Sequence, residues 1–447
     1  MSPIITEIIA KKRDGGELTA EEIRFLIAGV TTGALPDYQA SAWLMAVYLR
    51  GMTEGETLEL TLAMRDSGQI IDLSDTVDAA CGPTLDKHST GGVGDKTTLV
   101  VVAILAAAGV PMLKMSGRGL GFSGGTVDKL EAIPGLRTDL NMASAKAQVK
   151  RIGAALIGQT TKLAPADKIL YALRDVTATI ESIPLIASSI MSKKLASGGQ
   201  RIVLDVKVGR GAFMKTRSQA RTLAQELVRI GCGAGVPTSA LLTAMDEPLG
   251  WMVGNALEVR EAVQTLQNAA ESEPRFRDLC LSLAAHSLVV VGKANTEQRG
   301  RDLAEEILAS GQAADKFAQI IAAQGGPASC EAIIKSLPVA PLQFMVKSKS
   351  AGQVVALDAE AIGKLAVSMG AGRRIKSDAI DPAVGIELHM KTGMTVHCDQ
   401  PLATLHLRLE DEKRLPEWTE IIQSAYTIQN TSESYDSHAS LVLELIV

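Results

Sequence analysis

Residues 86–98 constrain the fold of this chain more than any other segment, because three glycines stand there among lysines, a histidine and hydroxyl side chains. A strongly apolar run, residues 99–108, follows directly and predicts a buried helix. A glycine-rich turn that leads into a helix presents backbone N–H groups at the positive end of that helix, which is the arrangement of an anion site. The segment therefore predicts a phosphate-binding turn, and His88 adds a group that can share a proton near neutral pH.

The composition favours a small anionic ligand over nucleic acid. The 447 residues carry a net charge of −5, whereas nucleic-acid-binding proteins are usually basic. Aromatic residues make up 3% of the chain, which argues against a base-stacking surface. The first 16 residues do not read as a signal peptide, and Gly109 and Pro111 interrupt the apolar run, so no membrane span is expected. The five scattered cysteines fit a cytoplasmic protein without a disulfide framework.

The pattern of the chain changes twice and predicts three parts. Helices come first, with capping boxes at Thr19 and Thr53. From about Val77, glycine turns alternate with strands and apolar helices, including a buried strand at residues 201–209. After Pro338, alternating segments at residues 352–357 and 396–407 predict a C-terminal α+β unit. We therefore predict the α/β class.

Two further clusters carry chemistry. Residues 116–131 contain five glycines within nine residues, together with the hydroxyls of Ser116, Ser123 and Thr126, so a close backbone approach to a ligand is predicted. The segment that begins at Pro165 reads as helical and supplies Arg174, followed by Ser189 and Lys193 on one helix face. A guanidinium fork and an ammonium suit a ligand whose edge has carbonyl oxygens and can gain negative charge.

Other motifs are weaker. A P-loop is excluded, because Asp95 stands directly before Lys96 where the Walker pattern requires glycine. The C-terminal histidines, on predicted strands, have no zinc-ligand spacing. They are His389, His397 and His406. His286 reads as a packed helix residue.

The three clusters closely resemble the family of pyrimidine-nucleoside and thymidine phosphorylases. The resemblance rests on residues 87–95 (KHSTGGVGD), 116–121 (SGRGLG), 174–179 (RDVTAT) and 189–194 (SIMSKK), and it extends to residues 351–405. It implies the reaction of inorganic phosphate with a pyrimidine nucleoside to give the free base and an α-pentose 1-phosphate, without an organic cofactor. Anthranilate phosphoribosyltransferase resembles this family in fold only.

The resemblance implies a role for individual residues. Hydroxyl and ammonium groups would bind phosphate: Lys87, Ser89, Thr98, Ser116 and Thr126. The pyrimidine would be held by Arg174, Ser189 and Lys193, and its C5 position would be surrounded by Leu120, Ile186 and Phe213. The catalytic residues would be His88, Arg174 and Lys193, with His88 reaching O2 of the departing base.

The family architecture implies a discontinuous α domain (residues 1–68 and 166–196) on the pyrimidine side of a cleft. An α/β domain (residues 77–160 and 197–340) would lie on the phosphate side, and residues 341–447 would form the C-terminal unit. Closure of the cleft and a homodimer formed through the α domain are expected.

Three departures from the family pattern matter. Phe122 and Ser123 replace a His-Thr pair. Lys96 falls among the positions that match a monovalent-cation (K⁺) site, where its ammonium would either replace the ion or point away. Those positions are Gly94, Lys96, Leu249, Met252 and Glu261. Lys114 stands near the sugar, where strict thymidine enzymes carry Met.

Lys114 favours an enzyme that accepts uridine, thymidine and deoxyuridine. A strict thymidine phosphorylase remains the near alternative. A phosphoribosyltransferase would need a pyrophosphate site and acidic residues for Mg²⁺, and a non-catalytic nucleoside sensor would be expected to lack His88, Arg174 or Lys193.

Overall fold

The computed structural model describes residues 4–77, 81–119, 121–375, 377–430 and 439–447. The first elements along the chain are α1 (Ile5–Arg13), α2 (Ala20–Thr32), α3 (Asp37–Arg50), α4 (Glu54–Asp66), β1 (Leu85–Ser89), α5 (Thr97–Ala107), β2 (Met112–Ser116), α6 (Thr126–Glu131), α7 (Met142–Ile152), β3 (Ala154–Gly158), α8 (Pro165–Val176) and α9 (Ile183–Ala196). They are followed by β4 (Arg201–Val208), α10 (Arg217–Gly233), β5 (Thr238–Ala244), β6 (Met252–Val253), α11 (Asn255–Leu266), α12 (Pro274–Val290), α13 (Glu297–Ala309), α14 (Gln312–Ala323) and α15 (Cys330–Ser336). The last are β7 (Leu342–Lys347), β8 (Gly352–Leu357), α16 (Ala359–Met369), β9 (Gly385–Leu388), β10 (Thr395–Val396), β11 (Pro401–Leu407), α17 (Leu415–Ala425), β12 (Tyr426–Gln429) and β13 (Val442–Ile446).

The N-terminal helices form a bundle that α8 completes. Trp43 is fully buried at its core, where Leu170 of α8 and Leu185 of α9 also pack. The predicted capping boxes at Thr19 and Thr53 are both present. In each, the threonine hydroxyl accepts a hydrogen bond from the backbone N–H of the third helical residue, and the glutamate side chain of that residue accepts one from the threonine N–H. The opposite side of α9 packs against β4 and α10, so α9 lies between the bundle and the α/β part.

The α/β part is built on a four-stranded sheet with the order β1–β4–β5–β13. The first three strands are parallel, and helices cover them. Helix α5 is buried on all sides, as its uniformly apolar sequence predicts. Strands β2 and β3 form a separate parallel pair beside β1. The predicted α/β class with a helical bundle is thus confirmed.

The C-terminal part contains two sheets, β6–β9–β11–β7 and β10–β8–β12. The division predicted at residues 341–447 does not match this topology at two points. Strand β6 belongs in sequence to the α/β part but pairs with β9, and β13 returns to pair antiparallel with β5. Without β13, β5 would be an open edge with unpaired backbone groups, which accounts for the return of the chain.

The continuous strand predicted at residues 396–407 is broken in two. Asp399 adopts a left-handed conformation (φ 64°) in the turn between β10 and β11, and β11 begins at Pro401, which has no N–H to donate to a ladder. His397 lies in this break and His389 lies directly after β9, so both are outside strands, whereas His406 lies in β11. Within the described ranges, no helix combines the length and apolar character needed to cross a bilayer.

A buried ion pair fixes the bundle and gives a stability prediction. Lys12 donates to both carboxylate oxygens of Glu56 at 2.8 and 2.7 Å, and both side chains are buried. Glu56→Gln should lower the free energy of unfolding by about 3 kcal/mol, because a buried ammonium loses its counter-charge. The control Glu21→Gln, on the exposed face of α2, should change it by less than about 0.5 kcal/mol. Urea unfolding measures both, and equal effects would contradict the account.

Candidate active site

Two glycine loops enclose one cavity. The first glycine loop (residues 89–97) joins β1 to α5, and the second (residues 116–126) joins β2 to α6. Five residues predicted for phosphate and sugar line the cavity, together with His88. They are Ser89, Thr98, Lys114, Ser116 and Thr126. Leu120, predicted to contact the base, lies outside the described residues.

Lys87 lies below the cavity and does not line it. Its side chain is on the same face of β1 as Ser89 but two residues earlier, and therefore deeper in the fold. The ammonium is fully buried, donates to Thr97 Oγ1 at 2.7 Å and pairs with Asp205 at 3.3 Å. Lys87 can therefore add positive potential beneath the loop while it holds the first turn of α5 in place.

Asp95 holds the first glycine loop. Its carboxylate accepts a hydrogen bond from Ser89 Oγ and two bonds from Thr97, at 3.2 Å (N–H) and 2.7 Å (Oγ1). Burial raises the pKa of Asp95, but Lys207, Lys87 and the Ser89 hydrogen bond outweigh it and hold this pKa well below its ordinary value. Asp95 therefore carries a full negative charge, which fixes the loop hydroxyl and partly offsets the buried lysines.

Lys129 ties the two glycine loops together. Its fully buried ammonium donates to the carbonyl oxygens of Asp95 and Gly124, each at 3.0 Å, and pairs with Glu258 at 3.1 Å. Gln159 also lines the cavity. Neither residue was predicted from the sequence, where the signal was a lysine just after the second glycine cluster.

Asp86 gathers two lysines beside the cavity. It lies 3.4 Å from Lys114 Nζ and 2.9 Å from Lys194 Nζ, and it accepts a bond from Ser197 at 3.0 Å. Burial, opposed by Asp86 and reinforced by Lys194 and Lys87, lowers the pKa of Lys114 to about 7. Lys114 therefore changes charge in the physiological pH range.

His88 is neutral in this arrangement. Burial and the charges of Lys194, Lys114, Lys87 and Lys193 lower the pKa of the imidazole well below 6.5. Lys193 belongs to α9, so a charge on the predicted pyrimidine side contributes to the low pKa of His88 in β1. A neutral imidazole can donate one hydrogen bond without carrying a charge.

The predicted pyrimidine-binding side chains lie on two neighbouring helices. Lys193 Nζ is 2.6 Å from Asp167 of α8 and 3.4 Å from Ser189 Oγ. Asp167 is buried, and its second carboxylate oxygen has no hydrogen-bond partner among the described residues. Ile186 is half-buried one turn before Ser189. Ser189, Lys193 and Asp167 thus form a polar cluster with one spare acceptor.

Arg174 has a structural role that the sequence did not suggest. Its guanidinium donates to the carbonyl oxygens of Thr179, Ile180 and Leu185 at 3.2, 2.7 and 3.0 Å, and the side chain is buried. It therefore anchors the turn between α8 and α9. Two of its five N–H groups are left for a ligand.

One further predicted position, Phe213, lies apart from the loop cavity, as does Phe122 at a departure from the family pattern. Phe213 is 55% exposed in the turn after β4 and is not among the residues that line the cavity. At the departure from the family pattern, Ser123 lines the cavity, whereas Phe122 packs on the C-terminal core with Lys215 Nζ 5.0 Å from its ring centroid. The replacement thus leaves a hydroxyl on the ligand side.

The five positions predicted for a monovalent cation lie together. Lys96 Nζ contacts the carbonyl oxygens of Leu249 and Met252 and the Glu261 carboxylate, and Gly94 lies close to the Leu249 backbone.

His286 is buried, as predicted, and bridges Ser239 and Glu297 at 2.7 Å on each side. Ser239 is buried between the sheet and α12, so this chain of bonds joins β5, α12 and α13 and offers no accessible nucleophile. The described residues include no group of three His, Cys, Asp or Glu side chains suited to a metal.

Sequence profiles match each part of this architecture. The helical bundle domain of a glycosyl transferase family matches residues 6–68, and the a/b domain of that family matches residues 81–314. The C-terminal domain of pyrimidine nucleoside phosphorylase matches residues 353–429. In fold, the chain is similar to anthranilate phosphoribosyltransferase from Thermus thermophilus, with a TM-score of 0.56 at 19% identity over 71% of this chain and 99% of that one.

Two relatives share a much higher sequence identity with the chain than this 19%. The chain is 49% identical to pyrimidine-nucleoside phosphorylase of Bacillus subtilis, over 91% of this chain and 93% of that protein. It is 46% identical to the enzyme of the same name from Geobacillus stearothermophilus, over 97% and 99% of the two chains. With the profile matches, this similarity shows that the chain belongs to the pyrimidine-nucleoside phosphorylase family.

Proposed function

We propose that this chain catalyses the reversible phosphorolysis of pyrimidine nucleosides to the free base and an α-pentose 1-phosphate. The observation that carries the proposal is the cavity between the glycine loops, which is lined by hydroxyls, backed by buried lysines and bordered by His88. Phosphate would bind to Thr98, Ser116 and Thr126 in front of the N-terminus of α5, and the Ser89 hydroxyl would join them by exchanging its hydrogen bond to Asp95 for one to phosphate. Family membership supports the same assignment.

The charges fit the chemistry of glycosidic bond cleavage. A phosphate oxygen attacks C1′ of the pentose, and the electron pair of the C1′–N1 bond leaves with the base. Negative charge then develops over the pyrimidine ring and its carbonyl oxygens, where Lys193 and the two unused N–H groups of Arg174 can stabilise it. A neutral His88 donates a hydrogen bond to O2 of the base as the bond lengthens.

Bound phosphate also changes His88. A phosphate dianion in the cavity opposes the lysine charges that depress the pKa of the imidazole, so the proton affinity of His88 rises when phosphate binds. The imidazole thereby becomes able to supply a proton toward the departing base when its co-substrate is present. This coupling favours chemistry in the complete complex over hydrolysis by water.

Lys114 supports a broad sugar specificity. Lys114 lines the cavity beside Ser116. Its ammonium donates to the Met115 carbonyl oxygen at 3.0 Å and lies 3.4 Å from Asp86, so one of its three N–H groups would remain for a ribose hydroxyl. Uridine, thymidine and deoxyuridine are the proposed substrates. A strict thymidine phosphorylase is the alternative that the specificity test below distinguishes.

The same assignment includes a homodimer in the cytoplasm and closure of the cleft. Helix α3 exposes Tyr38, Met45, Tyr48 and Leu49, an apolar stripe suited to a second copy of the bundle. Closure would bring Ser189 and Lys193 toward the bound phosphate and exclude water.

The function is tested by incubating the purified protein with each nucleoside, with and without inorganic phosphate. Release of uracil and thymine only in the presence of phosphate, with formation of the pentose 1-phosphate, is the expected result. Release without phosphate would indicate a hydrolase, and no release from any pyrimidine nucleoside would refute the proposal.

Lys193 is the cleanest target for mutation, because Arg174→Ala would also release the turn that Arg174 anchors. Lys193→Ala should lower kcat on the order of a hundredfold. It also leaves the buried Asp167 carboxylate without its counter-charge, so Tm should fall as well, and kcat is measured well below the unfolding transition. The control Lys168→Ala removes a lysine from the exposed face of α8 and should keep normal kcat. A near-normal kcat in Lys193→Ala would remove this residue from the mechanism.

Lys114→Met tests sugar specificity. Uridine and 2′-deoxyuridine differ only in the 2′-hydroxyl, so their ratio of kcat/KM isolates its contribution; the ratio should fall about tenfold in the variant. In this variant the buried Asp86 carboxylate still accepts hydrogen bonds from Lys194 and Ser197, so it is not left without a counter-charge. Because the pKa of Lys114 is about 7, the wild-type preference for uridine should weaken as pH rises above about 7. An unchanged ratio would leave Lys114 without a role in specificity.

His88 gives a pH prediction. In the free protein its imidazole should stay neutral at about pH 6, and its pKa should rise when phosphate is added; NMR of the labelled histidine rings measures both.

The low pKa of His88 also affects stability. The unfolded chain takes up the proton below about pH 6.5 and the folded chain does not, so His88 lowers the free energy of unfolding as pH falls. His88→Gln should therefore lessen the loss of unfolding free energy between about pH 6.5 and 5, whereas the exposed His397→Gln should not. A His88 pKa near the ordinary histidine value that is insensitive to phosphate would contradict the account.

A further inference from the structure

The ammonium of Lys96 occupies a closed cage of oxygen atoms. Lys96 Nζ lies 2.7 Å from the carbonyl oxygen of Leu249, 2.9 Å from that of Met252 and 2.6 Å from Glu261 Oε2. The Lys96 side chain is fully buried and Glu261 is nearly so. The ring centroid of Phe276 lies 5.2 Å from the ammonium on another side.

The cage satisfies the ammonium completely. A lysine has three N–H donors, and three oxygen acceptors are present. The glutamate is equally well used, because its two oxygens accept the backbone N–H groups of Trp251 and Met252 at 2.7 and 2.9 Å. Neither charge is left without a partner, which is the condition for a buried ion pair to be tolerated.

Two carbonyl oxygens and a carboxylate are also the donor set that a hard cation takes in a protein. A free potassium ion does not fit together with Lys96, since both charges would compete for the same three oxygens. The neighbouring backbone also packs closely around the ammonium. If Gly250 had a side chain, its Cβ would lie 2.7 Å from Lys96 Nζ, and a Cβ on Gly94 would lie 2.6 Å from the Leu249 oxygen. The residues present therefore do not fit a separate ion at this position.

We propose that Lys96 is a covalently attached substitute for a monovalent cation, so that this enzyme keeps its active conformation without K⁺. An ion has to be recruited from solution, and it fills a site fully only when its concentration is well above its dissociation constant. A lysine within the chain is always present. The cation function is thus independent of ionic conditions.

The position of Lys96 explains why a cation matters for the site. Its backbone lies between Asp95, which fixes Ser89, and Thr97, which begins α5. Through its ammonium it connects the first glycine loop to the segment at residues 249–252, which belongs to a distant part of the chain. Loss of positive charge here would leave Glu261 buried without a counter-ion and would loosen the loop that is proposed to bind phosphate.

The wild-type protein provides the first test. After exhaustive dialysis into choline chloride, Tm and the rate of phosphate-dependent uracil release are measured while KCl or NaCl replaces choline at constant ionic strength. Equal Tm and equal rates in all three salts are expected. A saturable rise in Tm or rate with K⁺ alone would overturn the proposal. Because Tm does not depend on catalysis, this arm remains informative whatever the substrate is.

Variants provide the second test. Lys96→Thr opens the cage, so in choline its Tm should fall by roughly 5 °C or more and its rate on the order of tenfold, and K⁺ should restore both saturably. Lys96→Met fills the space without charge and should lose stability without any rescue by K⁺. The exposed Lys364→Ala should behave as wild type. If Lys96→Thr folds but responds equally to K⁺ and choline, the ammonium does not stand in for an ion and the proposal fails.

Discussion

The buried carboxylate of Asp205 is the interaction on which the arrangement of the phosphate side depends. It lies in β4, pairs with Lys87 and Lys207 at 3.3 and 2.8 Å, and accepts a hydrogen bond from Thr243 at 2.6 Å. Ion pairs removed from water are costly to assemble, and losing one partner is strongly destabilising. Together with Asp95, this carboxylate balances the charges of Lys87 and Lys207 beneath the loop that is proposed to bind phosphate. The network thus sets the loop geometry before a substrate arrives, and the excess positive charge beside the cavity comes from Lys114 and Lys194, which share Asp86.

The same principle recurs around the cavity. Asp86 holds Lys114 and Lys194, and further buried lysines pair with glutamates of α11. Burial and the surrounding lysines lower the pKa of His88 well below its ordinary value, and in the proposed mechanism bound phosphate opposes those lysine charges. The two halves of the proposed chemistry are therefore separated: the α/β part carries the residues proposed to bind phosphate, and the helices α8 and α9 carry those proposed to stabilise the departing base. Closure of the cleft would combine them.

Local signals in the sequence predicted a large share of this structure. The capping boxes, the buried helix α5 and the strand β4 follow from patterns within a few residues, and both glycine clusters border the cavity. Pairings between distant segments could not be predicted, because Lys87 and Asp205 are separated by 118 positions and Lys96 and the Leu249 carbonyl by 153. Whether Lys96 entered the cation cage or pointed away depended on that long-range packing. The broken strand at Asp399 was missed because its alternation resembles that of a continuous strand.

If buried charges form the phosphate site in advance of the nucleoside, phosphate should bind to the protein alone. Calorimetric titration of inorganic phosphate into the protein without any nucleoside tests it most directly. The account predicts saturable binding of one phosphate per chain, with the nucleoside adding little to phosphate affinity beyond the effect of closure. Phosphate binding that is detectable only when a nucleoside or base is already bound would contradict it, since the anion site would then be created by the second substrate and not by the fold.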